Sequence, residues 1–256
     1  MNIHPTAIVD AKAEIETGVT IGPYSVIEGN VRISKNCWLG PQVHLASGAR
    51  LGADCRVFTG AALGNPPQDL KFGGEETTLE VGERTTIREF VTLNRGTKEH
   101  WKTVIGSDCL LMAYAHVAHD CIIGNHCILA NSVNLAGHVV IEDWASLGGM
   151  VPVHQFVRIG QHCFVGGASR VVKDIPPYIL AVGDPTRFSG LNSVGLSRRG
   201  FSEETMTALK RAYRLLFRAK LNVSQAVQRI RAECELTPEV QNVLAFIEKS
   251  ERGIIG

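Results

Sequence analysis

No stretch of this sequence approaches the ~20 consecutive apolar residues of a membrane span, so no membrane insertion is expected. A surplus of charge is also missing: 26 Lys and Arg against 25 Asp and Glu leave a net +1 at pH 7. That balance argues against nucleic acid or an anionic membrane surface as the main partner. The opening residues, MNIHPTAIVD, carry neither a basic start nor an apolar run, so no signal peptide is visible and the cytoplasm is the expected compartment. Seven Cys are present without any Cys-x-x-Cys pair, which argues against a zinc ribbon. No Ser sits in a recognisable nucleophile elbow, so a covalent acyl-serine is not expected.

What the chain does have is a repeat of six. Stepping from Ile3 in sixes meets Val9, Ile15, Ile21, Ile27, Ile33 and so on to Val165 and Val171; 26 of the 29 positions are Ile, Leu or Val. The exceptions, Asp69, Glu75 and Glu99, mark two interruptions, residues 64–80 and 94–104. A period of six fits neither an amphipathic helix nor an alternating strand, but it suits a short strand plus a tight corner. Three such sides close an 18-residue triangular coil, and coils stack as parallel strands ~4.8 Å apart. The 26 regular sides make about nine coils, or roughly 40 Å of prism.

Each side opens on an inward aliphatic residue, and the position four later is small and inward too: Ala7, Ala13, Val19, Ser25, Val31, Val43 and Ala49. Six of the seven Cys occupy it (Cys37, Cys55, Cys109, Cys121, Cys127 and Cys163), which reads as small buried thiols rather than nucleophiles. Cys37/Cys55 and Cys109/Cys127 should stack on adjacent coils, where a disulfide just reaches but a reducing cytoplasm disfavours it. Gly often follows the aliphatic residue, as in Ile21-Gly22 and Ile159-Gly160, where it allows backbone angles closed to other residues.

The fold class is therefore an all-β solenoid over residues 1–190, carrying two loop excursions, then a small helical C-terminal domain over 191–256. Residues 178–200 read as irregular. Ser202, Ser224 and Thr237 are candidate helix caps, Pro238 a first-turn residue and Gly253 a stop. Met206, Leu209, Tyr213, Leu216 and Phe217 share one helical face, and the helices are expected to cover the open C-terminal coil.

His is unevenly spread: six of nine lie between 116 and 162. Residues 18 apart are vertical neighbours, so His119, the Gly137-His138 pair and the His154-Gln155 pair form one polar stripe. His126 and His162 carry no such alignment. A free imidazole at His119 can take a proton from a hydroxyl or amine. Gly137, directly above, could offer an unhindered N–H to an acyl-transfer oxyanion. Asp120 is a candidate to fix the imidazole tautomer, although consecutive strand residues point opposite ways. Three His could instead bind zinc, as in hexapeptide zinc proteins. The ligand spacing is not reproduced, so no metal site is expected.

Six segments carry a resemblance: NPPQDLKFGG (65–74), AYAHVAHDC (113–121), LAGHV (135–139), VPVHQF (151–156), VGGASRVVKDIPPY (165–178) and LSRRGF (196–201). Together they resemble the UDP-N-acetylglucosamine O-acyltransferase family, the first enzymes of lipid A synthesis, from end to end. The resemblance implies a left-handed β-helix, a homotrimer with sites between subunits, and transfer of a 3-hydroxyacyl group. The donor would be the phosphopantetheine thioester of acyl carrier protein and the acceptor the 3-hydroxyl of UDP-N-acetylglucosamine, with no further cofactor.

It further implies that His119 is the general base and Gly137 the oxyanion donor, with Gln68, Asp69, Lys71 and His116 around the sugar and reacting groups. His138 would contact the acyl or sugar portion. His154, Gln155 and Asn192 would line the nucleotide side, while Arg198 and Arg199 face pyrophosphate or phosphopantetheine. Gly167 matches the position that ends the acyl groove; it leaves the groove open, so a long acyl donor is expected. The chain departs from the family pattern at Asn94, where many members have His, and at Val194, where many have Glu. Relatives that take a 3-amino sugar, giving an amide, are the alternative acceptor class. The related N-acyltransferases carry an extra domain before their repeat, and a repeat beginning at Ile3 counts against them.

Overall fold

The computed structural model describes residues 1–256. Short strands follow the six-residue register and deal themselves in turn to three sheets. Asn2–Ile3 pairs with Thr20–Ile21, Ile8–Val9 with Val26–Ile27, and Glu14–Ile15 with Arg32–Ile33, all parallel. This is the triangular prism that an 18-residue coil requires, and it winds as a left-handed β-helix.

The aliphatic residue of each side and the residue four later fill the prism. From Val19 onward the residues of both sets that continue the repeat are buried, including all six Cys of the inner position. The hydrophobic ones form one cluster with the helical segment, 62 buried residues in all. Each large aliphatic contributes ~1.5–3 kcal/mol by leaving water. All seven Cys are free thiols. At the N-terminal end nothing covers the first coil, and Ile3 remains 37% exposed.

The corners correct one expectation. The left-handed backbone lies three residues after the aliphatic, not one, and non-Gly residues occupy it: Tyr24, Asn36, Phe90, Asp120, His138, Trp144, Phe156 and His162 all have φ between 56° and 64°. The Gly that follows the aliphatic serves close approach instead. A Cβ on Gly22 would stand 2.6 Å from the Gly40 carbonyl carbon of the next coil. The corner residue tolerates its strained angle, about 1–2 kcal/mol each, because the sides it joins are locked by ladder hydrogen bonds above and below.

Both excursions are shorter than the interrupted repeat suggests, because their ends pair. Ala62–Asn65 and Thr78–Val81 flank the first, and Thr92–Asn94 and Lys102–Ile105 the second. They displace the vertical register: Arg56 pairs with Thr86, and Thr86 with Leu110. Past the second excursion the 18-residue spacing returns, as in His116 with Asn134.

After Val171, Ile179–Val182 extends the first sheet and turns back through the antiparallel strand Arg187–Leu191. The passage expected to be irregular thus holds a hairpin and a short helix, α1 (Ser193–Arg198). Then come α2 (Glu203–Arg218), α3 (Val223–Glu233) and α4 (Pro238–Glu248). Ser202 and Thr237 cap α2 and α4 as read from sequence. Asn222, not Ser224, caps α3, because it closes a reciprocal capping box with Gln225. The α4 helix stops at Glu248, ahead of Gly253. The α2 face with Leu209, Tyr213 and Leu216 is buried, and the Tyr213 hydroxyl donates to the Pro177 carbonyl at 2.5 Å. The helices therefore close the C-terminal end of the prism.

Candidate active site

His119 and Asp120 follow the strand His116–Val117, at the corner between the second and third sheets. Because Asp120 has φ 60°, the two consecutive side chains converge rather than oppose each other. His119 Nδ1 lies 2.8 Å from Asp120 Oδ2. The structure thus removes the objection that strand neighbours point apart. The Asp120 side chain is fully buried and that of His119 is 14% exposed.

Three donors hold the Asp120 carboxylate. Besides the imidazole, Thr97 gives its backbone N–H to Oδ1 at 2.8 Å and its hydroxyl to Oδ2 at 2.7 Å. Burial alone would raise the Asp120 pKa, but the bonds from His119 and Thr97 outweigh it and the value is lowered. An ionised Asp120 has no proton to give, so the imidazole donates from Nδ1–H and Nε2 keeps a free lone pair.

Gly137 stands directly above. Its Cα is so close that a Cβ would lie 2.6 Å from His119 Cε1 and 2.8 Å from Nε2. The backbone ladder links the same corner upward, His138 N–H to the His119 carbonyl at 3.1 Å and Phe156 N–H to the Gly137 carbonyl at 3.2 Å. No carbonyl or side chain of the chain accepts the Gly137 N–H, which leaves it for a ligand. Base and amide donor are therefore stacked one coil apart, as the 18-residue spacing predicts.

His138 meets the His119 ring edge-on at 5.1 Å and stacks on Phe156 at 4.5 Å. Its Nε2 is 3.5 Å from Glu99 and 3.8 Å from Asp120. Burial lowers its pKa despite the attraction of Asp120. His116, on the strand itself, is bound to the Thr92 hydroxyl at 2.7 Å, and burial lowers its pKa as well. The ligand atoms of His119, Asp120 and His138 lie within 4.8 Å of one another, a spacing compatible with a metal. Both Asp120 oxygens are already used by Thr97 and His119, so a metal would have to break the arrangement that frees Nε2.

Comparisons with known proteins bear on the family of the whole chain. Residues 102–137 match the bacterial transferase hexapeptide family (six repeats), and residues 174–255 match domain 2 of Udp N-acetylglucosamine O-acyltransferase. An acyl-[acyl-carrier-protein]–UDP-N-acetylglucosamine O-acyltransferase of Thermodesulfovibrio yellowstonii is 47% identical over 254 residues, covering 98% of each chain. The Chlorobaculum parvum protein of the same name is 49% identical, covering 98% of this chain and 96% of its own. The solved Bacteroides fragilis UDP-N-acetylglucosamine acyltransferase superposes with a TM-score of 0.98 at 43% identity, covering 99% of both chains. The chain belongs to the UDP-N-acetylglucosamine O-acyltransferase family.

The other residues singled out by the family resemblance are spread over the prism. Gln68 and Lys71 are exposed and Asp69 half-buried on the first excursion, where Asp69 Oδ1 accepts the Lys71 N–H at 3.0 Å. That loop is anchored by Asn94, whose Nδ2 donates to the Pro66 carbonyl at 3.1 Å, and by Arg95, stacked over Phe72 at 5.5 Å. Asn94 is therefore a buried anchor, and its Oδ1 has no partner in the chain. His154 and Gln155 are exposed, and the His154 ring bonds only the Gln155 carbonyl. The ring above His138 in the stripe is Phe156, not His154.

Gly167 lies on a different edge from His119. Its neighbour is Gly149, one coil down, which in turn stands over Asn131, at the corner between the first and second sheets. Counting coils from residue 119 to 167 therefore does not trace one groove along a single chain. Asn192 caps α1 through its Oδ1 and donates from Nδ2 to the His162 carbonyl at 2.9 Å. With Arg198, Arg199 and Val194 it lines a cleft of about 610 Å³ on the first sheet, against Ile128 and Phe164.

His126 and His162, read from sequence as unaligned, belong to a ring column. His126 stacks on Trp144 at 3.9 Å and Trp144 on His162 at 6.0 Å. Arg199 lies over Trp144 at 5.1 Å, with Nη1 3.3 Å from His162 Nδ1. Stepping by 18 from His126 would have found this column. Thr97, in contrast, sits in an excursion where the repeat has no register to count.

Proposed function

We propose that this chain transfers a 3-hydroxyacyl group from acyl carrier protein to the 3-hydroxyl of UDP-N-acetylglucosamine, the first step of lipid A biosynthesis. Family membership supports the substrates. The observation that carries the chemistry is the stack of a free His119 Nε2 beneath the unused Gly137 N–H.

His119 Nε2 takes the proton of the sugar hydroxyl as its oxygen attacks the thioester carbonyl carbon. The carbonyl oxygen becomes an oxyanion and accepts from Gly137 N–H. Asp120 steadies the imidazolium. Collapse of the tetrahedral species breaks the C–S bond, and the imidazolium returns its proton to the departing phosphopantetheine thiolate. The products are the 3-O-acyl sugar nucleotide and the free carrier thiol. The thioester supplies the activation, so the reaction calls for no other cofactor.

His116, His138, Asp69, Lys71 and Gln68 serve acceptor and donor binding in this reading, with His154, Gln155, Asn192, Arg198 and Arg199 on the nucleotide and phosphopantetheine side. Gly167 stands at the end of the acyl groove and, lacking a side chain, leaves it open to a long chain. These groups occupy different edges and faces of one prism, which supports a homotrimer whose sites are completed by neighbouring copies. Carrier-bound acyl chains and nucleotide sugars as substrates support a cytoplasmic reaction. No helix is long and apolar enough to cross a membrane.

His119→Ala should abolish transfer while nucleotide binding and trimer assembly persist; a near-normal rate would remove His119 from its role. Running the assay with UDP-N-acetylglucosamine and its 3-amino analogue, against a ladder of acyl carrier thioesters, defines acceptor and chain length together.

A further inference from the structure

One residue from outside the repeat holds both oxygens of the carboxylate behind the base. Thr97 donates its N–H to Asp120 Oδ1 and its hydroxyl to Oδ2, at 2.8 and 2.7 Å. The Thr97 hydroxyl oxygen in turn accepts the Glu99 N–H at 3.3 Å, which leaves its own proton for Asp120. Thr97 is 6% exposed and Asp120 1%, so water does not replace these bonds. From the other side, the Thr103 hydroxyl accepts the Asp120 N–H at 2.8 Å. No Lys or Arg pairs with Asp120; the charged or titratable groups facing it are His119 and His138, with Glu99 beyond His138.

We propose that Thr97 is a positioning residue for acyl transfer, setting the angle of the Asp120 carboxylate and, through it, of the His119 imidazole. The inference rests on the reading of His119 as base and Asp120 as its partner. A carboxylate turns about a broad, soft terminal torsion. Oδ2 alone bonds the imidazole, so rotation of the carboxylate carries the ring with it. Thr97 grips one oxygen with the backbone and the other with the hydroxyl, which stops that rotation. The second excursion is thereby tied to the base.

Thr97→Val keeps the side-chain shape and the backbone donor but removes the hydroxyl. Its kcat should fall roughly 10- to 100-fold, the loss expected for one hydrogen bond to a charged group, with both KM values within about twofold. Thr97→Ser should restore most of the rate. In an Asp120→Asn background, Thr97→Val should lower kcat by less than about threefold, because residues acting through one group are not additive. The proposal is overturned if Thr97→Val keeps its rate, if the Ser variant is as slow as the Val variant, or if the Val effect is undiminished beside Asp120→Asn. A His119→Ala protein that stays active would instead topple the reading of the base itself.

Discussion

Gly137→Ala tests the stacked geometry most directly, because it keeps the backbone N–H and adds one carbon. That carbon would stand 2.6 Å from His119 Cε1, 2.8 Å from Nε2 and 3.2 Å from Nδ1. Ordinary carbon contacts begin at about 3.5 Å, so the ring must retreat by about 0.9 Å. It cannot slide freely, since Nδ1 is tied to Asp120 at 2.8 Å and Asp120 to Thr97. A reacting group displaced by about 1 Å loses on the order of 100-fold in rate, or about 2.7 kcal/mol of transition-state stabilisation. Gly137 is not among the residues with left-handed φ, so Ala imposes no backbone strain there. Relief of unfolded-chain entropy offsets part of the clash, roughly 0.4–1 kcal/mol, and the unfolding midpoint should move little. Initial rates at saturating acyl carrier thioester and UDP-N-acetylglucosamine, beside a thermal melt, provide the measurement. A kcat within about threefold of the unaltered protein would refute the stacking of base and amide as the reacting pair.

Two further outcomes follow from other parts of the molecule. Gly167→Met should shift the preferred donor to shorter acyl chains in a competition between carrier thioesters of graded length. Gly167 and His119 lie on different edges of the prism, so this outcome rests on the proposed trimer, and an unchanged profile would remove Gly167 from the acyl site. Burial, together with repulsion from Arg199, pushes the His162 imidazole down to about 4. The unfolded chain binds that proton near 6.5 and the folded protein does not, so stability should be full above about 6.5 and fall as pH drops toward 4. His162→Gln should flatten this limb of the urea-unfolding curve by at most about 3 kcal/mol at pH 4. Parallel curves for the two proteins would contradict it.

The parts of the site that sequence could reach were those on the repeat. His119 and Gly137 differ by 18 residues and lie past both excursions, so counting alone stacked them. The column His126, Trp144 and His162 obeyed the same rule and was equally readable. Asp120 is legible as a candidate partner of His119, but strand alternation points its side chain away, and only its φ of 60° reveals that it turns toward the imidazole. The helix caps show a similar limit. Ser224 has the right chemistry, but Asn222 wins by closing a two-way bond with Gln225.

By itself the sequence determined the prism. A six-residue unit with an aliphatic and a small inward residue buries both by coiling in threes, and the chain's own connectivity then makes residues 18 apart neighbours. Tertiary structure alone decided what surrounds the base. Thr97 reaches Asp120 across 23 positions from an excursion that carries no period, and Asn94 grips a loop 28 positions back. Such contacts depend on how irregular backbone folds against a regular wall, and a periodicity carries no information about segments that leave it.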